Sequence, residues 1–161
     1  MQIYIDLEET LVHSLHQAHF LKFHDLVKDM NRCVIRDKIT LLRPEAHSIL
    51  KRCRNFASKV VLMTISSESS VQAINEGLNL NFRKQDIYAK DRFLLKEKSI
   101  CPDAILIDNQ SMKERALQLK LQTLGIHQER FLQIPSFANP SFYSASEFLQ
   151  ILESSLHDLM K

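Results

Sequence analysis

The 161-residue chain is 45% hydrophobic and 25% charged, and its 21 lysines and arginines against 19 acids leave a formal net charge of +2. That length suits one domain with a real core, and the charge is too small to hold nucleic acid or a membrane surface by bulk electrostatics. No apolar run approaches the roughly 20 residues needed to span a bilayer, and two glycines, Gly77 and Gly125, exclude a glycine-rich phosphate loop.

The first apolar, β-prone run, Ile3–Ile5, ends abruptly at Asp6, and a second carboxylate follows at Glu8. A buried strand that delivers an acid at its C-terminal tip is how open α/β sheets build active sites. From His19 to Leu42 the pattern is weaker; Phe20–Phe23 and Cys33–Leu42 predict a β-hairpin with Asp29-Met30-Asn31 near its turn. Pro44 suits the first turn of a helix over Glu45–Ala57. A strand at Val60–Met63 then leads to Thr64, and a helix is expected over Ser69–Gly77. A further strand at Ala104–Ile107 runs into Asp108-Asn109. A helix over Ser111–Leu124 ends at Gly125, which suits a C′ position. The chain finishes with a strand at Phe131–Ile134 and a helix at Ala145–Met160, where Phe148, Leu149, Leu152, Leu156 and Leu159 recur at helical spacing. Strands alternating with helices predict an α/β, Rossmann-like parallel sheet covered on both faces in three layers. No repeat or linker divides the chain, so one domain over 1–161 is expected, with a small flap or cap insertion at about 14–42.

Right-handed crossovers bring the strand ends of such a sheet to one edge. That edge would carry Asp6 and Glu8, then Thr64, then Lys90, then Asp108-Asn109. Alone, Thr64 reads as a helix cap and Asp108-Asn109 as a strand-ending turn. An ordered set of acid pair, hydroxyl, lysine and acid-amide pair is more specific. A carboxylate such as Asp6 can attack a phosphoryl group, dividing one hard hydrolysis into two steps. Mg²⁺ takes oxygen ligands and keeps several waters, so a carboxylate and an amide at the next strand tip suit it.

The run Asp6-Leu7-Glu8-Glu9-Thr10-Leu11-Val12-His13-Ser14 resembles the D-x-D-x-T signature of haloacid dehalogenase-like phosphotransferases, most closely the DLDETLVHS form of carboxy-terminal-domain phosphatases. Met63-Thr64-Ile65-Ser66 resembles that family's T-A-S motif, Lys90-Asp91 its K-D motif, and Ile105–Asn109 its final Asp-Asn motif. Leu42-Arg43-Pro44 matches its L-R-P approach to the second motif. The resemblance implies a Mg²⁺-dependent phosphatase that works through an aspartyl-phosphate on a phosphopeptide or another phosphate monoester. It implies Asp6 as nucleophile and Glu8 as general acid/base. It also implies Thr64, Ser66 and Lys90 as phosphate ligands, with Lys96 and Lys98 as alternatives for the lysine. The metal would sit at Asp6, the backbone carbonyl of Glu8, Asp108 and Asn109, with Asp108 also orienting the lysine.

Glu8 departs from the signature, which has aspartate there. One extra methylene leaves the metal-facing carbonyl untouched, but a misplacement of about 1 Å in an acid/base group can cost on the order of a hundredfold. The alternative is therefore a catalytically degenerate module that binds phosphate or a partner protein. A receiver-like signalling domain ranks behind both, because Val60–Met63 delivers Thr64 where that fold needs its phosphoacceptor acid. His13, His16, His19 and His24 crowd one region without zinc-ligand spacing. Cys33, Cys53 and Cys101 are scattered, which predicts free thiols in a reducing compartment. With no secretory signal in the N-terminal residues, a cytoplasmic protein is expected, with no nucleic-acid or membrane partner.

Overall fold

The computed structural model describes residues 1–22, 24–90, 103–137 and 145–159. Its first strand, β1 (Gln2–Asp6), is followed by β2 (Val12–His16), two short helices α1 (Gln17–Lys22) and α2 (His24–Val27), and a hairpin of β3 (Arg32–Ile35) and β4 (Lys38–Leu42). Helix α3 (Ala46–Phe56), β5 (Lys59–Met63), α4 (Glu68–Gly77), β6 (Ile87–Tyr88), β7 (Ile105–Asp108), α5 (Arg115–Leu124), β8 (Phe131–Gln133) and α6 (Ala145–Leu159) complete the order.

Five strands form one parallel sheet in the order β6-β5-β1-β7-β8, so β1 lies at its centre with chain neighbours on both sides. Ile5 pairs with Leu62 on one side and Ile107 on the other. Both faces of β1 are buried, as expected of a parallel strand covered twice. Ile3, Ile5, Leu62, Ile105 and Ile107 face a core closed by Ile49, Leu50 and Cys53 of α3, Val71 and Ile74 of α4, and Leu152 and Leu156 of α6. Tyr4, Val61, Met63 and Leu106 point the other way, onto Leu117, Leu121 and Leu124 of α5. The period-two alternation in the strands thus divides the core into the two sides of a three-layer α/β fold. Gly125 sits at φ 66°, the left-handed position that ends α5. The predicted strands and helices of this sheet appear within a few residues of their expected bounds. Only β6, two residues long, carries no pattern that sequence periodicity could find.

The predicted hairpin is corrected in detail. The antiparallel partner of β4 on one side is β2, from Val12 opposite Leu42 to His16 opposite Lys38, and on the other side it is β3. Phe20 belongs to α1 rather than to a strand, and Phe23 lies outside the described residues. Phe20 is buried against Val27, Ile39, Leu41 and Phe137 while Leu21 beside it is exposed, the one-sided burial of a short surface helix. The turn falls at Arg36-Asp37, with Asp29-Met30-Asn31 leading from α2 into β3. Gly77, at the end of α4, fixes the flap on the main body. A Cβ there would come within 2.7 Å of Cys33 Cβ, so α4 and β3 approach as only glycine allows. Among the described residues, no helix is long and apolar enough to cross a membrane.

Candidate active site

The chain leaves β1 in a tight loop held by its own backbone. Leu11 and Val12 amides donate to the Leu7 carbonyl at 2.9 and 3.1 Å, and the Glu9 amide donates to Val12 O at 2.7 Å. Glu9 adopts φ 59°, uncommon for a residue with a Cβ. Two distant segments brace this loop. Arg43, fully buried at the end of β4, donates from its guanidinium to the Thr10 carbonyl at 2.9 Å, lies over the Phe137 ring and sits 3.8 Å from the Glu45 carboxylate. The Phe137 amide donates to Glu9 O at 2.6 Å.

Parallel register sets Asp6 beside Met63 and Ile5 beside Ile107, so Asp6, Thr64 and Asp108 emerge at one edge. Between the two aspartates lies Lys120 of α5. Its ammonium donates to Asp6 Oδ1 at 2.8 Å and to Asp108 Oδ2 at 2.5 Å, and all three side chains are almost wholly buried. Thr10 Oγ1 donates to Asp6 Oδ2 at 3.2 Å, and the Gln110 amide donates to Asp108 Oδ1 at 2.9 Å. Burial pushes the Asp6 carboxyl up, from its ordinary 3.8 to about 8; Asp108 and Glu8 push the same way and Lys120 offsets part of it. The two aspartates outweigh burial at Lys120 and raise its pKa, keeping it a cation.

At the same edge, Thr64 Oγ1 donates to the Glu8 carboxylate, 2.8 Å from one oxygen and 2.6 Å from the other, and Ser66 Oγ donates to the first of these. The Ser66 amide donates to Thr64 Oγ1 at 3.0 Å. The two hydroxyls and the loop before α4 therefore hold the Glu8 carboxylate, an anion with two oxygens.

The expected residues Asp6, Glu8, Thr64, Ser66, Asp108 and Asn109 are brought to this one edge. Lys90 is not brought between the acids. Its amide donates to Ser66 O at 3.0 Å, but its side chain is exposed. Lys96 and Lys98 lie outside the described residues. The lysine reached by the acids is Lys120, which sequence reasoning missed. A signal was present, since Lys120 shares a helical face with Leu117, Leu121 and Leu124, where an unpaired charge would be costly. The crowded histidines pair separately, His13 with Glu9 at 2.5 Å and His16 with Asp37 at 3.4 Å.

Among the described residues, no group of three or more His, Cys, Asp and Glu side chains is arranged to hold a metal ion. The oxygens at this edge are of a different mix. Thr10 Oγ1 donates to Asn109 Oδ1 at 3.2 Å; with the amide turned over, its NH₂ would donate to the Glu8 carbonyl and to Asp108 Oδ1, each at 3.2 Å. Carboxylate, carbonyl and amide oxygens are the ligands Mg²⁺ takes. The donor set fits that ion.

The family model described as NLI interacting factor-like phosphatase matches residues 2–159. Among solved structures the chain is similar to the fission yeast RNA polymerase II CTD phosphatase Fcp1 bound to beryllium fluoride, at 8% identity and a TM-score of 0.57, covering 99% of this chain and 50% of that one. A second structure of Fcp1, an essential RNA polymerase II CTD phosphatase, gives 9% identity and a TM-score of 0.58, with 99% and 48% covered. The HAD domain of the effector protein Lem4 from Legionella pneumophila gives 14% identity and a TM-score of 0.48, with 99% and 97% covered. The chain thus spans about half the length of the two Fcp1 structures, and at these identities the likeness concerns the fold alone. No curated protein matches it in sequence.

Proposed function

Since the chain belongs to the NLI interacting factor-like phosphatase family, we propose that it hydrolyses phosphate monoesters through an aspartyl-phosphate on Asp6. The observation that carries this reading is the buried Asp6–Lys120–Asp108 cluster at the same sheet edge as the Thr64 and Ser66 hydroxyls. On this reading the chain acts as one domain, with the β2–β4 segment as its small cap. Free thiols at Cys33 and Cys53 support a reducing compartment such as the cytoplasm. The small net charge supports a phosphorylated substrate recognised locally rather than nucleic acid or a membrane surface.

Asp6 attacks phosphorus with a carboxylate oxygen, the ester P–O bond breaks, and the leaving oxygen takes a proton from Glu8. Water then attacks the aspartyl-phosphate, gives its proton to Glu8, and releases phosphate while restoring the Asp6 carboxylate. Thr64 and Ser66 donate to the non-bridging oxygens, and Lys120 offsets charge between Asp6 and Asp108. Asp6, the Glu8 carbonyl, Asp108 and Asn109 would hold Mg²⁺, which when bound supplies charge neutralisation between the nucleophile and the phosphoryl oxygens. Rapid quenching during turnover, followed by mass spectrometry, is expected to find a hydroxylamine-labile phosphoryl group on Asp6. Label on any other residue, or none while product forms, would sink the reading.

A second reading, a module that holds phosphate or a partner without turnover, is favoured by one contact. The Glu8 carboxylate occupies the hydroxyls that a phosphoryl group would need. Glu8 thus has two stations: it must leave Thr64 and Ser66 as substrate arrives and then serve the ester oxygen. Glu8→Asp shortens the arm by one methylene and weakens the first station. It is expected to raise kcat/KM for an aryl phosphate by about 10- to 100-fold. Measurable wild-type turnover supports the enzyme; wild-type turnover at background, restored in Glu8→Asp, supports the binding module.

The raised Asp6 pKa also sets a pH dependence. The folded protein binds this proton more tightly than the unfolded chain does, so metal-free stability falls as pH rises from about 4 to about 8. A divalent cation needs the ionised carboxylate, so its affinity gains about tenfold per pH unit up to that value. The thermal shift produced by Mg²⁺ is therefore expected to be larger at about pH 9 than at about pH 6. Equal shifts would remove Asp6 from the ligand set.

A further inference from the structure

A groove of about 260 Å³ runs from the candidate active site outward, between the flap and the start of α4. Glu8 and Ser66 form its inner end, Ile35 and Ile74 give it apolar walls, and Arg36 and Lys38 stand at the flap's turn. Because the groove begins at the residues that would meet the phosphoryl group, it is where the remainder of an ester extends. We propose, resting on the phosphatase reading above, that this groove selects phosphopeptides carrying an acidic residue next to the phosphorylated one.

Charge complementarity carries the choice. Arg36 and Lys38 are exposed, and neither makes an ion pair with an acid among the described residues. The acid between them, Asp37, turns to His16 at 3.4 Å. Glu8 at the inner end is held by the Thr64 and Ser66 hydroxyls and makes no ion pair with either cation. A peptide carboxylate meeting Arg36 is bound by a planar fork of donors, a geometry that suits it. Arg36 also holds φ 58° in a two-residue hairpin turn, a position that glycine or asparagine takes without strain. An arginine at that position puts its side chain in the lining of the groove at a conformational cost, which points to use of the side chain. Residues 36–38, at the rim of the groove, are exposed. The apolar walls suit the stem of the residue that bears the acid.

The test uses three fluorescent phosphopeptides identical except for Glu, Gln or Lys beside the phosphoresidue. Their Kd values are measured by anisotropy with the wild type and with Arg36→Gln/Lys38→Gln. The wild type is expected to bind the Glu peptide about tenfold more tightly than the Gln peptide, and the Lys peptide more weakly still. In the double variant the three Kd values are expected to converge. Equal Kd values in the wild type, or a preference unchanged in the variant, would overturn the proposal. Tight binding of a small ester with two phosphates, without any preference among the peptides, would give the groove to small molecules and overturn it as well. Hydrolysis of a plain aryl phosphate by the wild type is followed separately. It reads the phosphatase assignment, so its failure is distinguishable from failure of the peptide preference.

Discussion

Asp6→Asn is expected to lower Mg²⁺-dependent hydrolysis of an aryl phosphate by roughly 10³-fold or more while leaving the fold at least as stable. The amide keeps the shape of the carboxylate but cannot form the acyl-phosphate as readily, and it is a poor ligand for a divalent cation. Its effect on stability has the opposite sign. Asp6 is buried and close to Asp108 and Glu8, and these environments disfavour its charge enough to raise its pKa to about 8. A neutral side chain at the same place avoids that cost, as is common where an active site trades stability for chemistry. Kinetics and thermal denaturation on the same preparation separate the two effects. A variant that hydrolyses substrate within about twofold of wild type would end the nucleophile assignment.

Lys120→Met should show the other large effect, this time on folding as well as on rate. Among the described residues Lys120 alone supplies a cation to both Asp6 and Asp108, and it does so in a site from which water is almost excluded. Removing one partner from such a buried ionic cluster costs about 3–5 kcal/mol, because the remaining acids are left without compensation. Lys90→Met changes an exposed side chain and is expected to shift stability by less than about 0.5 kcal/mol. Urea denaturation of the two variants in parallel decides which lysine the site needs. Combining Lys120→Met with Asp6→Asn should recover part of the loss, since the neutral amide no longer needs the cation. Equal stability of the two single variants would contradict the buried cluster.

The difference between these lysines marks what could be read in the sequence and what could not. Asp6, Thr64 and Asp108 announce themselves because each ends an apolar run, and a parallel sheet has one edge where such runs stop. Their convergence follows from topology alone. Lys120 comes from the middle of a helix, 114 positions from Asp6, and reaches the site because α5 packs across the face that carries Tyr4 and Leu106. Lys90 has the motif-like sequence and runs beside Ser66, yet among the described residues its contact there is through the backbone amide. In the flap, the Phe20 region looked strand-like because apolar residues cluster there, whereas the Cys33–Leu42 run does form strands, folded back on itself as β3 and β4. The second partner of β4 is Val12–His16, whose alternation is only five residues long and adjoins the signature. The bracing of the loop by Arg43 and Phe137 has no local signal, since it depends on segments that meet only after the sheet has formed.

The central place of β1 has a consequence for how this molecule can vary. Its hydrogen bonds run to strands on both sides, so the amides that support Asp6 open to solvent exchange only when the sheet itself comes apart. The flap carries Arg36 and Lys38 on a separate three-stranded sheet, at a turn between two short strands. Changes at that turn leave the pairing of β1 untouched. On the proposed reading, chemistry therefore sits where substitution is least tolerated and selectivity where it is most tolerated, which would let a lineage exchange its substrates without rebuilding its catalyst.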